Sequence, residues 1–260
     1  MLSINNMKKI FKILFASILL STFFYACDKD SSAISSGESS NNGQGGSMAK
    51  FAIQGNYMYK VEGSILKVYD VSNTSNTILL NSIDLQNTGV ETIFSNGQYL
   101  FFGTQNGMLI YGLSKPSVPN YISTYTHVVS CDPVVVKGNI AYVTLSSGNS
   151  CNRGLDQLEV IDISDISNPT LLKAYQMGNP KGMAVAGKYL YLCDQLAGFK
   201  VLDITDNMNI VQVNNIETLL AYDVIASGNI LTITSTTGVY QYDCSDPLNL
   251  KFLSKIATQK

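Results

Sequence analysis

Five positions spaced evenly through the chain carry the side chains best able to act together on a ligand. Six residues before each of Gly55, Gly97, Gly138, Gly187 and Gly228 stand Ala49, Glu91, Asp132, Lys181 and Tyr222. Arg153, Asp194, Asp156 and His127 fall in stretches that the same spacing brings near them. Two carboxylates, an amine and a phenol around one opening would form a polar binding site. Glu91 and Asp132 could also divide the acid and base roles of glycoside cleavage. The plainer alternative is a rim of solvated side chains whose local ion pairs are each worth ~0–1 kcal/mol. No Ser-His-Asp elbow, HExxH, P-loop or dinucleotide fingerprint surrounds any of them. His127 is the only histidine, which removes most His-based catalysis and most zinc sites. The expectation is a protein without metal, cofactor or catalysis, with a candidate ligand rim of Glu91, Asp132, Lys181, Tyr222, Arg153 and Asp194.

Repetition is what would position these residues. The first glycine opens GNYMYKV, GQYLFFG, GNIAYVT, GKYLYLC and GNILTIT, at intervals of 42, 41, 49 and 41 residues. A second glycine (Gly63, Gly107, Gly154, Gly198, Gly238) precedes LKVYDVS, MLIYGLS, LEVIDIS, FKVLDIT and VYQYDCS. Within 178–219 the runs MAVA, YLYL, FKVLDI and IVQVNNI are separated by Gly, Asn and Asp turns, each a short strand. Four strands recurring near every 42 residues is the propeller signature. Units of 49–85, 86–127, 128–177, 178–219 and 220–259 predict an all-β, five-bladed β-propeller of four-stranded antiparallel blades. Side-chain packing between the first and last sheets should close the ring; an open or four-bladed arrangement is the alternative. Asp70, Asp162, Asp203 and Asp243 end the third strands of separate units, too dispersed to converge, and read as turn or strand-end hydrogen-bonders. Asp165 and Asp246 read as turn residues rather than calcium ligands.

Leu158-Glu159-Val160-Ile161-Asp162 and Phe199-Lys200-Val201-Leu202-Asp203 give the chain its resemblance to the LVIVD-repeat family. The resemblance covers about residues 51–259, and the second copy departs from it with Gly112 in place of the Asp. It implies a β-propeller, often secreted or at a surface, and brings no assigned activity.

The N-terminus reads as an address. Lys8, Lys9 and Lys12 precede the uncharged run Ile13–Phe24, and small Ala26 precedes Cys27. That run is about 12 residues, short of the roughly 20 a membrane-spanning helix needs. The stretch resembles a bacterial lipoprotein signal peptide, with Phe24 where Leu is usual, so that 1–26 would be removed and Cys27 lipidated. Acyl chains at ~0.8 kcal/mol per buried CH₂ would then hold the chain to a membrane. Residues 28–48, Ser/Gly/Asn-rich and without apolar period, would form a flexible tether before the propeller of 49–260. The acidic-polar start after Cys27 resembles the export signals of Bacteroides-group surface lipoproteins. The implied location is the outer membrane, on the cell surface or the periplasmic face.

The interval of 49 places extra residues in Ser146–Asp156, which contains Cys151. Cys131 begins the same unit, so both would lie at the top of one blade, and an exported chain meets an oxidising compartment. A Cys131–Cys151 disulfide closing a loop of about 20 residues would contribute ~3 kcal/mol; metal binding by the pair is the weaker alternative, since two further ligands are not evident. Cys193 and Cys244 occupy strand positions held elsewhere by Val, Thr, Leu or Ile and read as small core residues.

Seventeen Lys+Arg against nineteen Asp+Glu give a net charge of -2, which argues against nucleic acid. The favoured reading is a monomeric, membrane-anchored, non-enzymatic module that binds a protein or glycan through its top face, where blade connections lie. The alternatives are a carbohydrate-active enzyme using the channel carboxylates and a structural envelope component.

Overall fold

The computed structural model describes residues 46–86, 88–126, 133–147 and 155–258. The first blade holds β1 (Phe51–Gln54), β2 (Tyr57–Glu62), β3 (Ile65–Asp70) and β4 (Ile78–Asp84). The second holds β5 (Val90–Ser95), β6 (Tyr99–Thr104), β7 (Gly107–Gly112) and β8 (Asn120–Thr126). The third holds β9 (Val134–Lys137), β10 (Ile140–Leu145), β11 (Gln157–Asp162) and β12 (Thr170–Gln176). In the fourth lie β13 (Pro180–Ala186), β14 (Tyr189–Asp194), β15 (Gly198–Asp203) and β16 (Val211–Ile216). The fifth has β17 (Ala221–Ser227), β18 (Ile230–Ser235), β19 (Gly238–Asp243) and β20 (Lys251–Ala257). Each set is a four-stranded antiparallel meander in chain order, and the protein is a five-bladed β-propeller, as the repeats predict.

The two glycine series serve different purposes. Gly187, at φ 56°, opens a two-residue hairpin loop between β13 and β14 with open space where a Cβ would stand; the backbone angle alone requires it. At Gly107 a Cβ would lie 2.0 Å from the Tyr125 carbonyl oxygen on β8. There the need is for close approach of the outer strand. That outer strand carries a bulge at one register in every blade, opposite Val68/Tyr69, Ile110/Tyr111, Val160/Ile161, Val201/Leu202 and Gln241/Tyr242. A bulge bends and twists the strand locally, so the five outer strands curve alike.

Apolar side chains on facing sheets form the core, junction by junction. Tyr59, Val61, Leu66 and Val68 meet Leu100, Phe102 and Leu109 between blades one and two. Phe101, Met108 and Ile110 meet Val134, Ala141 and Val143 between two and three. Tyr142, Leu158 and Val160 meet Met183, Leu190 and Leu192 between three and four. Tyr191, Cys193, Phe199 and Val201 meet Val224, Leu231 and Ile233 between four and five.

The fifth junction is different. Among the described residues no apolar core joins the last blade to the first, and β17 does not lie against β1 as the other successive inner strands do. Among the described residues the expected apolar packing between the first and last sheets is therefore absent, which leaves an unpacked seam. Its cause is residue type. On blade one, Lys60 occupies the register of Phe102, Val143, Leu192 and Ile233; Lys67, opposite it, stands at a register where Glu159 and Lys200 also carry charge in packed junctions. Both lysines pair with Glu62 on the same free face. On blade five, Thr232 stands where other blades place Tyr59, Phe101, Tyr142 and Tyr191, and Gln241 where they place Val68, Ile110, Val160 and Val201. Ile256, the counterpart of the packed Ile83, Tyr125, Tyr175 and Ile216, is 73% exposed. A polar series agrees. Asn81 donates to the Ser117 carbonyl, Ser123 to Ile166, Lys173 to Met208 and Asn214 to Leu248, each in the next blade. The fifth member, Ser254, turns back to Gln241 of its own blade.

Leu192→Ala, in the third junction, should cost about 2–5 kcal/mol. Lys60→Ala, at the equivalent register on the seam, should stay within about 0.5–1 kcal/mol. Urea midpoints of the two variants check this; comparable losses would mean that the seam is packed in solution.

Candidate functional site

At the top of the channel the inner strands are bulged where the predicted rim residues stand. Glu91 is the extra residue between Val90 and Thr92, and Tyr222 the extra residue between Ala221 and Asp223. The shift between Pro180 and Met183 takes in Lys181. Glu91 and Ala49 are half-buried and Tyr222 is exposed. Lys181 lies beneath the surface, its Nζ donating to Ser146 Oγ at 2.9 Å. Burial lowers its pKa, against a smaller opposing pull from Asp156. Asp156 accepts from the Ser147 amide at 2.9 Å and its hydroxyl at 2.6 Å. Asp132, Arg153, His127, Cys131, Cys151 and Cys27 lie outside the described residues. Cys193 and Cys244 are free and buried in the core between blades four and five.

Asp194 is fully buried. It accepts from the Gly178 amide at 2.9 Å, the Asn179 amide at 2.6 Å and Lys200 Nζ at 2.8 Å. Burial by itself would raise its pKa, but Lys200 and the two amides outweigh that and hold the carboxyl below its ordinary value. The group fixes the connection into blade four from the inside. The recurring strand-end aspartates behave likewise on the surface: Asp162, Asp203 and Asp243 accept from the amides two residues on, at 2.7, 2.9 and 2.8 Å. Among the described residues no cluster of three or more His, Cys, Asp or Glu could hold a metal ion.

The channel itself holds part of the chain. Residues Gly46–Ala49 run into it ahead of β1. The Met183 amide donates to Ser47 Oγ at 2.6 Å, and the Ile93 amide to the Ala49 carbonyl at 2.9 Å. Asp223, one residue past the predicted rim position, accepts from Val224, Met48 and Ser47. It is seated against Gly182 and Gly46, where a Cβ would fall 2.1 and 2.0 Å from its carboxylate oxygens. Burial raises its pKa to about 6 despite those donors.

A second opening lies on blade two, beside the connection from blade one. It is a groove of about 430 Å³ lined by Leu85, Gln86, Thr88, Thr104, Asn106, Leu109, Tyr111, Tyr121, Thr124 and Thr126. The size is that of a small-molecule site. Tyr111 and Tyr121 meet edge to face at 5.8 Å, and the Tyr121 hydroxyl bonds Thr124 Oγ1 at 3.0 Å. Thr88 Oγ1 is buried with no hydrogen-bond partner among the described residues. Gln86 holds φ 58°, an uncommon left-handed conformation for a side-chain-bearing residue, fixed by its amide's 2.8 Å bond to Asp84. Wall chemistry, an unmet hydroxyl and a constrained backbone thus coincide. Sequence spacing missed this groove because its residues come from a connection and three strands without common period. The departure of the second copy at Gly112 was the nearby signal: a Cβ there would meet Ile122 at 3.0 Å.

Asp194→Ala would leave Lys200 and two amides unmatched in the interior. It should lower stability by about 3–5 kcal/mol, read from the urea midpoint, with Asp194→Asn recovering part of the loss.

The sequence matches the LVIVD repeat model at residues 45–84, 90–127, 130–177 and 177–218. No curated protein matches it. Among solved structures, it is similar to a functionally unknown protein from Desulfotomaculum acetoxidans at 13% identity and TM-score 0.63, over 80% of this chain and 69% of that one. A candidate 6-phosphogluconolactonase from Bacteroides fragilis gives 12% identity and TM-score 0.61, over 81% and 70%. The periplasmic gluconolactonase of Pseudomonas aeruginosa gives 12% and 0.60, over 78% and 68%. At such identities these likenesses speak for the fold alone. With four copies matched over more than half of its length, the chain belongs to the LVIVD-repeat family.

Proposed function

We propose that this protein is a lipid-tethered binding module of the bacterial envelope, anchored through Cys27, that holds a glycan in the groove on blade two without transforming it. The observation that carries the reading is the groove's wall: hydroxyls, amides and two tyrosine rings, with no carboxylate, amine, imidazole or thiol among its described residues. Such a wall suits a neutral, hydroxyl-rich ligand such as a sugar. Tyrosine faces pack against C–H surfaces, and Thr and amide groups exchange hydrogen bonds with ring hydroxyls. The buried Thr88 hydroxyl is an unmet hydrogen-bonding group that a ligand hydroxyl would satisfy, with a net worth of about 0.5–1.5 kcal/mol.

The lactonase-named neighbours favour an enzyme only weakly, since likeness at 12% identity is one of fold. The axial rim is less suited to ligand than the groove, because Lys181 and Asp194 are buried beneath it and Gly46–Ala49 occupies the channel. Lipid attachment rests on the segment ending at Cys27, and fatty-acid labelling that disappears in Cys27→Ser would support it.

Tyr121 is 56% exposed, so Tyr121→Ala should leave folding intact. A glycan found by array screening should bind that variant about 2- to 13-fold more weakly, the value of one aromatic contact of ~0.5–1.5 kcal/mol. Titration calorimetry on the folded variant is the measurement. Unchanged affinity, or turnover of the glycan that Glu91→Gln abolishes, would reject the groove as a non-catalytic site.

A further inference from the structure

The unpacked seam and the segment in the channel belong to one device. Four junctions are held by apolar cores, while the fifth has charged and polar faces. Gly46–Ala49 leads directly into blade one, yet its bonds reach other blades: Ser47 to Met183 of blade four and Asp223 of blade five, and Ala49 to Ile93 of blade two. The segment therefore crosses the axis and joins the two sides of the seam. We propose that Gly46–Ala49 is a releasable strap that holds the seam closed, and that its hold on the Asp223 carboxyl makes the closure stronger in acid than at neutral pH.

The geometry supports both parts. The strap is short and held by a handful of hydrogen bonds, and contacts of this kind open at far lower cost than a packed core. Asp223 is sealed on one side by Gly182 and on the other by Gly46. Removing the strap strips the carboxyl of three of its donors and of one wall together. Among the described residues no charged side chain faces it. From blade four the only titratable neighbour is the Cys193 thiol, itself pushed up by burial; β17 adds only the Val224 amide, and the strap carries no ionisable side chain. No nearby positive charge compensates the carboxylate when it ionises.

The sign follows from that. With the strap seated the carboxyl holds its proton up to about pH 6; with the strap released and water admitted, its pKa returns toward the ordinary carboxylate value. The closed form binds the proton more tightly, so acid favours closure. That advantage declines as pH climbs from the ordinary carboxylate range through about 6 and is gone above it.

The test is amide NMR and hydrogen exchange on the full chain between pH 4.5 and 8, with exchange corrected for its intrinsic pH dependence. The amides of Ser47, Met48 and Val224 should titrate together with a midpoint near 6, and protection of the Met183 amide should fall about tenfold or more across the range. In Asp223→Asn that pH dependence should vanish. Ser47→Ala keeps the carboxyl but removes the acceptor of the Met183 amide. Met183 protection should then be low at every pH, while the Val224 titration persists. A midpoint in the ordinary carboxylate range, or Met183 protection that ignores pH in the unaltered chain, would overturn the proposal even if Asp223→Asn failed to fold.

Discussion

Each blade is a sheet with two faces, and an apolar face must be covered by another. Phe101 and Phe102 show the constraint at its smallest. They are adjacent in β6, both fully buried, and point to opposite neighbours, Phe102 toward blade one and Phe101 toward blade three. Full burial of such a side chain is worth about 1.5–3 kcal/mol, and neither ring could be buried in an isolated blade. The three middle blades therefore require both neighbours. The end blades require one each, and their free faces carry Lys60, Glu62 and Lys67 on one side and Thr232, Thr234 and Gln241 on the other. This is the logic of capping repeats in solenoids, where the terminal unit presents a polar outer face.

The same repetition decides where polar chemistry can collect. Strand-end aspartates are drawn into local contacts that hold them below the ordinary carboxylate range: Asp203 by Lys188 and then Thr205, Asp162 by the Ser164 side chain and amide, and Asp243 by the Ser245 amide and side chain. A carboxylate engaged in that way in each separate blade cannot contribute to a shared site. Distinctive surfaces arise where the pattern breaks. One break is blade two, with Gly112 in place of the aspartate and a tyrosine pair beside it. The other is the channel, where bulges turn the inner strands.

Much of this was legible in the chain itself. The turn glycines set the blade count, and the four-run units set the strand order. The placement of Cys193 and Cys244 among Val, Thr, Leu and Ile identified them as core. The rim was less legible for a definite reason. Counting back from the turn glycine lands on Tyr222, but the bulge inserts a residue there, so the carboxylate that meets the channel segment is its half-buried neighbour Asp223. Spacing cannot reveal a bulge that shifts the register by one. The groove was invisible because Gln86 and Thr88 belong to a connection that follows no repeat. The seam was present in the aligned copies as Lys60, Thr232 and Gln241, but its meaning depended on knowing which face of each blade looks at which neighbour.

The fifth unit ties these points together. The repeat model matches four copies and stops at residue 218, although the fold continues through a complete fifth blade. The Leu-Val-Ile-Val-Asp pattern alternates residues between the two faces of the third strand. In β19 the corresponding run is Val-Tyr-Gln-Tyr-Asp. Tyr240 and Tyr242 face the packed junction with blade four, and Gln241 faces the seam. A blade with only one neighbour has no use for a second apolar face, and Gln241 stands where the matched copies carry Val68, Ile110, Val160 and Val201. The unpacked seam follows from Lys60, Thr232 and Gln241, and the strap of Gly46–Ala49 supplies hydrogen bonds where no apolar core of described residues joins the two blades.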